Sequence, residues 1–452
     1  MSATDGVAVV GGGWAGCAAA LTLATAGRKV TLFEAQRTPG GRARALDVHG
    51  HTLDNGQHIM LGAYTETLRV MRAAGLDAGK ALLTLPLQMR YPPGQGMDFV
   101  APRLPAPLHL LGALLRARGL EREDKLALAR FSTSARWMGW VLHQDCSVSE
   151  LLQRFDQTAR LNRLMWHPLC LAALNTPPER ASAQVFLNVL RDSLGAGRSA
   201  SDMLLPRTDL TSAFPAAALR VVEAHGGTVH TGARVERIEP VAGGWQVEAS
   251  GSAVGGALSG RFASVVVAAP PHAAAALLDP LAAHDASLPA LLAQLRGFDY
   301  EAITTVYFQY DPAVRLALPF FALEDAPAQG RHGQYVFDRG HVEPGHAGLF
   351  AVVISCAAAA AAMPQDALAQ ASAAQLARAF DMPALASPAW SRVITEKRAT
   401  FACTPGLARP ANATTLPGLV LAGDYTAGDY PATLEAAVRS GIGAARLLAS
   451  AR

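Results

Sequence analysis

The chain has 452 residues, 50% hydrophobic and 17% charged, which is too long for one ordinary domain and suggests two or three. Its 39 basic and 36 acidic residues leave a net charge of +3, too small and too dispersed to argue for a nucleic-acid partner. Five cysteines (Cys17, Cys146, Cys170, Cys356, Cys403) never take C-x-x-C spacing, which speaks against a zinc site or a redox dithiol and fits a reduced, cytoplasmic compartment.

No signal-peptide pattern precedes the first strand pattern, and no run approaches about 18 charge-free apolar residues, so no transmembrane helix is expected. Val7-Ala8-Val9-Val10 reads as a strand. It breaks into Gly11-Gly12-Gly13-Trp14-Ala15-Gly16, then into an alanine-rich helix from Cys17 to Ala26 with Gly27 as its stop. Lys29 to Phe33 reads as a second strand ending at Glu34. Strand, G-x-G-x-x-G, helix, strand and distal acid are the dinucleotide fingerprint in full context. Gly11 allows the tight turn, Gly13 lets the backbone approach a pyrophosphate, and Gly16 lets helix and strand pack closely. The helix N-terminus, which Trp14 and Ala15 lead into, offers N–H groups and partial positive charge to the phosphates. Glu34, with Ala35 beside it, suits the adenosine ribose hydroxyls. An ordinary strand-to-helix turn is the bland alternative, and it does not account for all five elements in order.

Thr38-Pro39-Gly40-Gly41-Arg42-Ala43-Arg44 follows. Two glycines bring backbone close to a ligand, and two arginines suit phosphate through their planar forks. Together with the upstream motif, this run resembles the flavin-dependent amine oxidase and phytoene desaturase superfamily. That resemblance implies FAD, with the Gly40-Gly41 loop along its pyrophosphate and ribityl chain. Residues 45–58 then alternate about His49-Gly50 as two short strands joined by a tight turn, ending in Asp54-Asn55-Gly56-Gln57-His58. Three histidines here (His49, His51, His58) lack a completing Cys or carboxylate at ligand spacing, so no metal site is read. Asp54 to His58, Leu61 to Tyr64, and Trp166-His167-Pro168-Leu169-Cys170 narrow the resemblance to the bacterial hydroxysqualene dehydroxylases, across essentially the whole chain.

Leu108 to Arg118 is a short, very apolar helix bounded by arginines, readable as a peripheral membrane contact or as a core helix. Glu121 to Trp140 is an amphipathic helix, its tryptophans Trp137 and Trp140 read as core packing. Ser147 to Leu194 is helical, with breaks at Pro168 and at Pro177-Pro178. Asp209 to Ala224 reads as one helix, and strands are expected near 228–230, 232–238, 245–248, 265–270, 303–310 and 348–355. In the superfamily the residue matching Val235 lends its backbone to the adenine, and the strand ending at Ala269 lies near the cofactor. Leu419 to Tyr425 is a buried strand ending in Gly423-Asp424, and Pro431 opens a helix through Thr433 and Leu434. The resemblance implies that Asp424 holds a ribityl hydroxyl and that the helix start faces the flavin, where reduced flavin carries negative charge. Asn55, Gly56 and Gln57 join the cofactor-binding set by their place on the flavin-proximal hairpin.

The expected fold is α/β. A Rossmann-type FAD-binding domain is built from residues 1–79, 206–285 and 393–452. The mixed α+β substrate domain is built from 80–205, mostly helical, and 286–392, a sheet plus helices. The resemblance implies reduction of hydroxysqualene to squalene in hopanoid-type biosynthesis, the allylic hydroxyl leaving as water and hydride coming from flavin N5. Such a reaction needs a long-chain isoprenoid substrate, an external electron donor, a dry channel and a proton donor. Asp54, His58 and His167 are the candidates for that proton. The rival is an isoprenoid desaturase running hydride the other way. An amine oxidase and a flavin-free lipid escort fit the motifs less well.

Overall fold

The computed structural model describes residues 6–251, 256–283 and 285–450. Strand β1 (Val7–Val10), helix α1 (Trp14–Thr25) and strand β2 (Val30–Glu34) form the opening unit. They belong to a five-stranded sheet ordered Thr228–Thr231, β2, β1, Ser264–Val267, Leu419–Leu421, with every neighbouring pair parallel. All four β1 residues are buried, as a parallel strand covered on both faces requires. Helix α1 is apolar over nearly its whole surface because it is enclosed there, only Thr22 and Thr25 reaching out of the core. One side faces helix Pro215–Ala224, and another faces helix Leu434–Ser450 so closely that a Cβ on Gly441 would lie 2.1 Å from the Ala15 carbonyl oxygen.

A second five-stranded sheet is antiparallel throughout, ordered Phe320–Ala322, Tyr335–Asp338, Leu349–Ile354, Tyr300–Gln309, Trp390–Phe401. Strands β3 (Ala45–Val48) and β4 (His51–Asp54) form an antiparallel hairpin. Its turn residues His49 and Gly50 both have positive φ, at 52° and 78°, the conformation that matches strand twist in two-residue hairpins. The hairpin is pinned to the antiparallel sheet where Tyr307 donates its hydroxyl to the Asp54 carbonyl at 2.8 Å. Residues near 108–193 are helical and close on an aromatic core in which Phe131 meets Trp166 edge-on at 4.9 Å.

Several elements depart from the sequence reading. Pro168 does not interrupt its helix. It sits in the first turn of His167–Leu174, where its missing N–H costs little, just after a π-turn at Asn162–Trp166. The expected helix from Asp209 is split at Phe214, where Pro215 opens a second helix. The C-terminal helix begins at Leu434 instead of Pro431. Trp137 is 90% exposed, not core, because its helix buries the Asp124–Leu128–Phe131–Ala135 face instead.

The N-terminal and C-terminal parts of the chain are tied by one carboxylate. Glu435, fully buried, accepts from the Thr67 N–H at 2.9 Å, the Thr67 hydroxyl at 2.7 Å, the Glu66 N–H at 3.1 Å and Arg439 at 2.7 Å. Glu435→Ala strands these donors and is expected to cost about 3 kcal/mol, read as a lower denaturant midpoint, with Glu435→Gln in between. An unchanged midpoint would show that this junction carries no weight.

Candidate functional site

The two glycine loops lie backbone to backbone. The Gly40 N–H donates to the Gly12 carbonyl at 2.8 Å. Gly41 has φ of 64°, and a Cβ on it would stand 3.2 Å from Gly13 Cα. At Gly16 a Cβ would lie 1.9 Å from the Gly11 carbonyl oxygen, so helix and strand meet with no room for a side chain. Gly13 is different. Its backbone is extended, and a Cβ there would meet no protein atom nearer than 3.9 Å. The first-turn N–H groups of Trp14, Ala15 and Gly16 have no carbonyl one turn behind them. The Trp14 indole turns inward and donates to the Ala43 carbonyl at 3.2 Å.

Glu34 is buried, its oxygens accepting the Gly12 N–H at 2.6 Å and the Gln36 N–H at 2.7 Å, with lone pairs to spare. Ala35 is exposed. The Ala233 N–H donates to the Glu34 carbonyl at 2.8 Å, which sets buried Val235 close by at the start of strand Arg234–Val241. On the other side of the turn, a Cβ on Gly11 would come within 3.4 Å of the Ala269 amide nitrogen.

Arg42 joins distant parts of the chain. It pairs with Asp424 at 2.6 Å and donates to the Ala399 carbonyl at 2.7 Å. Arg44 folds back onto the Gly41 carbonyl at 2.6 Å, and its carbonyl accepts the Asn55 N–H at 3.0 Å. The Gly423 N–H donates to Ser440 Oγ at 2.9 Å, fastening the Gly-Asp turn to the helix that starts at Leu434. Thr433 caps that helix by accepting the Ala436 N–H at 3.2 Å. The hydroxyls of Tyr300 and Tyr425, both exposed to the charges of Arg42 and Asp424, are buried without a hydrogen-bond partner, as is Thr305 Oγ1, which lies 3.8 Å from where a Cβ on Gly56 would be. Buried unpaired hydroxyls cost about 1–3 kcal/mol each. An open glycine cradle, a buried acid with spare lone pairs and unpaired hydroxyls around an Arg–Asp pair fit the phosphates, ribose and ribityl chain of FAD.

The hairpin end forms a chain of its own. Asp54 Oδ1 accepts the Leu210 N–H at 2.8 Å, and Tyr307, bound to the Asp54 carbonyl, accepts from Gln57 Nε2 at 2.8 Å. Gln57 Oε1 in turn accepts from Arg339 at 3.1 Å. Burial pushes the Asp54 carboxyl up to about 7, against the pull of the Leu210 N–H and Arg339. His58 moves the other way. Burial lowers it and the Arg42 charge adds to that, against the pull of the Gly56 carbonyl 2.9 Å from Nδ1; the net is toward a neutral ring, with Nδ1 the nitrogen that donates and Nε2 left as acceptor. Of the two, Asp54 is the one that keeps a proton near neutrality. His167 opens another helix and makes no hydrogen bond to either. His49 and His51 pack on Trp390, and among the described residues no three His, Cys, Asp or Glu side chains gather as metal ligands.

Sequence reading missed four residues. Tyr307 and Arg339 hold the hairpin end, Ser440 holds the Gly-Asp turn, and Thr211 bridges the Pro39 carbonyl and the Ala45 N–H at 2.9 Å each. Arg339 alone left a signal, as a charge just after the apolar run Tyr335 to Phe337.

The family model described as flavin containing amine oxidoreductase matches residues 14–449. The chain is similar to a hydroxysqualene dehydroxylase of Rhodopseudomonas palustris, 30% identical with 98% of both chains covered. It is also similar to one of Sinorhizobium fredii, 27% identical with the same coverage. Relatives named as phytoene and zeta-carotene desaturases match as well. Among solved structures, the cyclohexylamine oxidase of Brevibacterium oxydans shares the fold at a TM-score of 0.69, 18% identical with 99% of both chains covered.

Proposed function

The chain belongs to the flavin containing amine oxidoreductases, and from that premise we propose that this FAD-dependent oxidoreductase reduces hydroxysqualene to squalene. The observation that carries the proposal is the end-to-end likeness to relatives named for that reaction. The buried, proton-retaining Asp54 supports it from the structure's side. The allylic carbon–oxygen bond breaks, the hydroxyl takes a proton and leaves as water, and a hydride forms the new carbon–hydrogen bond. Bound FAD in its reduced form supplies that hydride, the electrons coming from an external donor.

The chain's residues have separate tasks in this reading. The Gly11–Gly16 turn, Gly40, Gly41 and Glu34 hold the dinucleotide end, with Ala35, Val235 and Ala269 along its edge. Asp424, Thr433 and Leu434 hold the flavin end, and Asn55, Gly56 and Gln57 cover it. Asp54 supplies the proton to the departing hydroxyl, while Tyr307 and Arg339 fix the loop that carries it. Residues 80–205 and 286–392 form the substrate domain that encloses the isoprenoid and excludes water.

The test is anaerobic incubation of dithionite-reduced enzyme with hydroxysqualene, following the flavin spectrum and the extracted hydrocarbon. Flavin reoxidation with squalene as product is expected. Desaturation of phytoene or squalene by the oxidised enzyme, with no squalene formed from hydroxysqualene, would reverse the assignment.

A further inference from the structure

We propose that helix Leu108–Arg116 and the helix after it, Arg122–Trp137, form a docking surface for an anionic lipid bilayer. Leu108, Leu111 and Leu115 fall within about a sixth of a turn on one helix face at 3.6 residues per turn. They are 49%, 50% and 67% exposed, while His109 and Ala113 take the inward face. Leu104 extends the patch, since its side chain lies 3.4 Å from where a Cβ on Gly112 would be. The second helix is tied on by Lys125, which donates to the Leu115 carbonyl at 3.1 Å. Its outer face carries Leu126, Arg130 and the fully presented Trp137, the residue type that sits at the headgroup level of membranes.

Charge points the same way. Between Arg103 and His143 the chain has seven Lys or Arg and three Asp or Glu, an excess of four where the whole chain has an excess of three. Two of the three acids are already matched, Glu121 at 2.6 Å and Asp124 at 3.8 Å from Arg160. Arg103, Arg116, Arg118, Arg122, Arg130 and Arg136 have no ion pair among the described residues. Leucines ringed by unmatched arginines suit acyl chains below and anionic headgroups around. No described helix is long and apolar enough to cross a membrane, so the contact lies in the plane of the surface.

The test is flotation of the flavin-loaded protein with phosphatidylcholine vesicles, with and without phosphatidylglycerol, at low and high salt. Wild type is expected to float with the anionic vesicles and to be released by salt. Leu111→Asp/Leu115→Asp should lower partition at least about tenfold, and Arg116→Glu/Arg118→Glu should remove the salt-sensitive part. An unchanged flavin spectrum certifies that each variant is folded. Wild type that stays with the soluble fraction, or a leucine variant that floats as well as wild type, overturns the proposal. So does light scattering that shows a dimer dissolved by the leucine substitutions without any flotation, which would make the patch a contact between two copies. Binding is read without turnover, so the outcome is independent of the proposed reaction.

Discussion

Gly13→Val gives a folded protein that has lost its flavin. Gly13 has extended backbone at φ −72°, ψ 177°, which valine adopts readily, and a Cβ there would be 3.9 Å from the nearest protein atom, Gly41 Cα. The space that the new methyls would fill is the one in front of the N-terminus of α1, where a pyrophosphate would be drawn by unpaired N–H groups and the helix dipole. Flavin affinity is expected to fall about a hundredfold, or roughly 2.8 kcal/mol, while the circular dichroism spectrum and the apoprotein's melting midpoint stay near wild type. Gly16→Val is the contrasting variant. Its Cβ would overlap the Gly11 carbonyl at 1.9 Å, so it should fail as a folded protein and not only as a flavoprotein. Full flavin content in purified Gly13→Val would remove the phosphate from that place.

Asp54→Asn should slow squalene formation by about 10²- to 10⁴-fold, the usual range for a lost general acid. Asparagine keeps the acceptor for the Leu210 N–H and loses only the proton, so the fold should survive, whereas Asp54→Ala would strand that N–H. The wild-type rate should be flat at low pH and fall as pH rises through about 7, where the carboxyl ionises. Stability carries the same sign. A carboxyl whose folded value is raised binds its proton more tightly in the folded protein, so its contribution is full below the ordinary carboxylate range and is lost as pH rises through about 7. The melting midpoint should therefore drop between pH 5 and pH 8 in wild type and drop less in Asp54→Asn. A full-rate Asn variant would pass the proton to another group and leave Asp54 as an anchor for Leu210.

The cofactor half was legible because its signals are local. A glycine turn, the acid that ends the next strand and a Gly-Asp turn before a helix are each written within a few dozen residues. Which partners they find is written elsewhere. Arg42 and Asp424 were read as separate ligand contacts, yet they meet across 382 positions. Tyr307 comes from a strand and Arg339 from the short turn after another, and nothing beside them in sequence says which hairpin they hold. Trp137 was read as core because spacing alone does not say which face of a helix has neighbours. The same blindness leaves the leucine helix open between a core helix and a peripheral membrane contact, since its composition fits both equally.

The order of the parallel sheet has a bearing on biosynthesis. Its central strand, β1, precedes the others in the chain, and β2 on one side follows soon after, but Ser264–Val267 on the other side and Leu419–Leu421 beyond it emerge hundreds of residues later. The helix Leu434–Ser450, which seals α1 and supports Asp424, is later still. The vitamin-derived cofactor's berth therefore cannot assemble on a nascent polypeptide before residues 419–450 have emerged. Until then β1 and α1, with almost no polar side chains of their own, leave uncovered apolar surface of the kind that promotes aggregation.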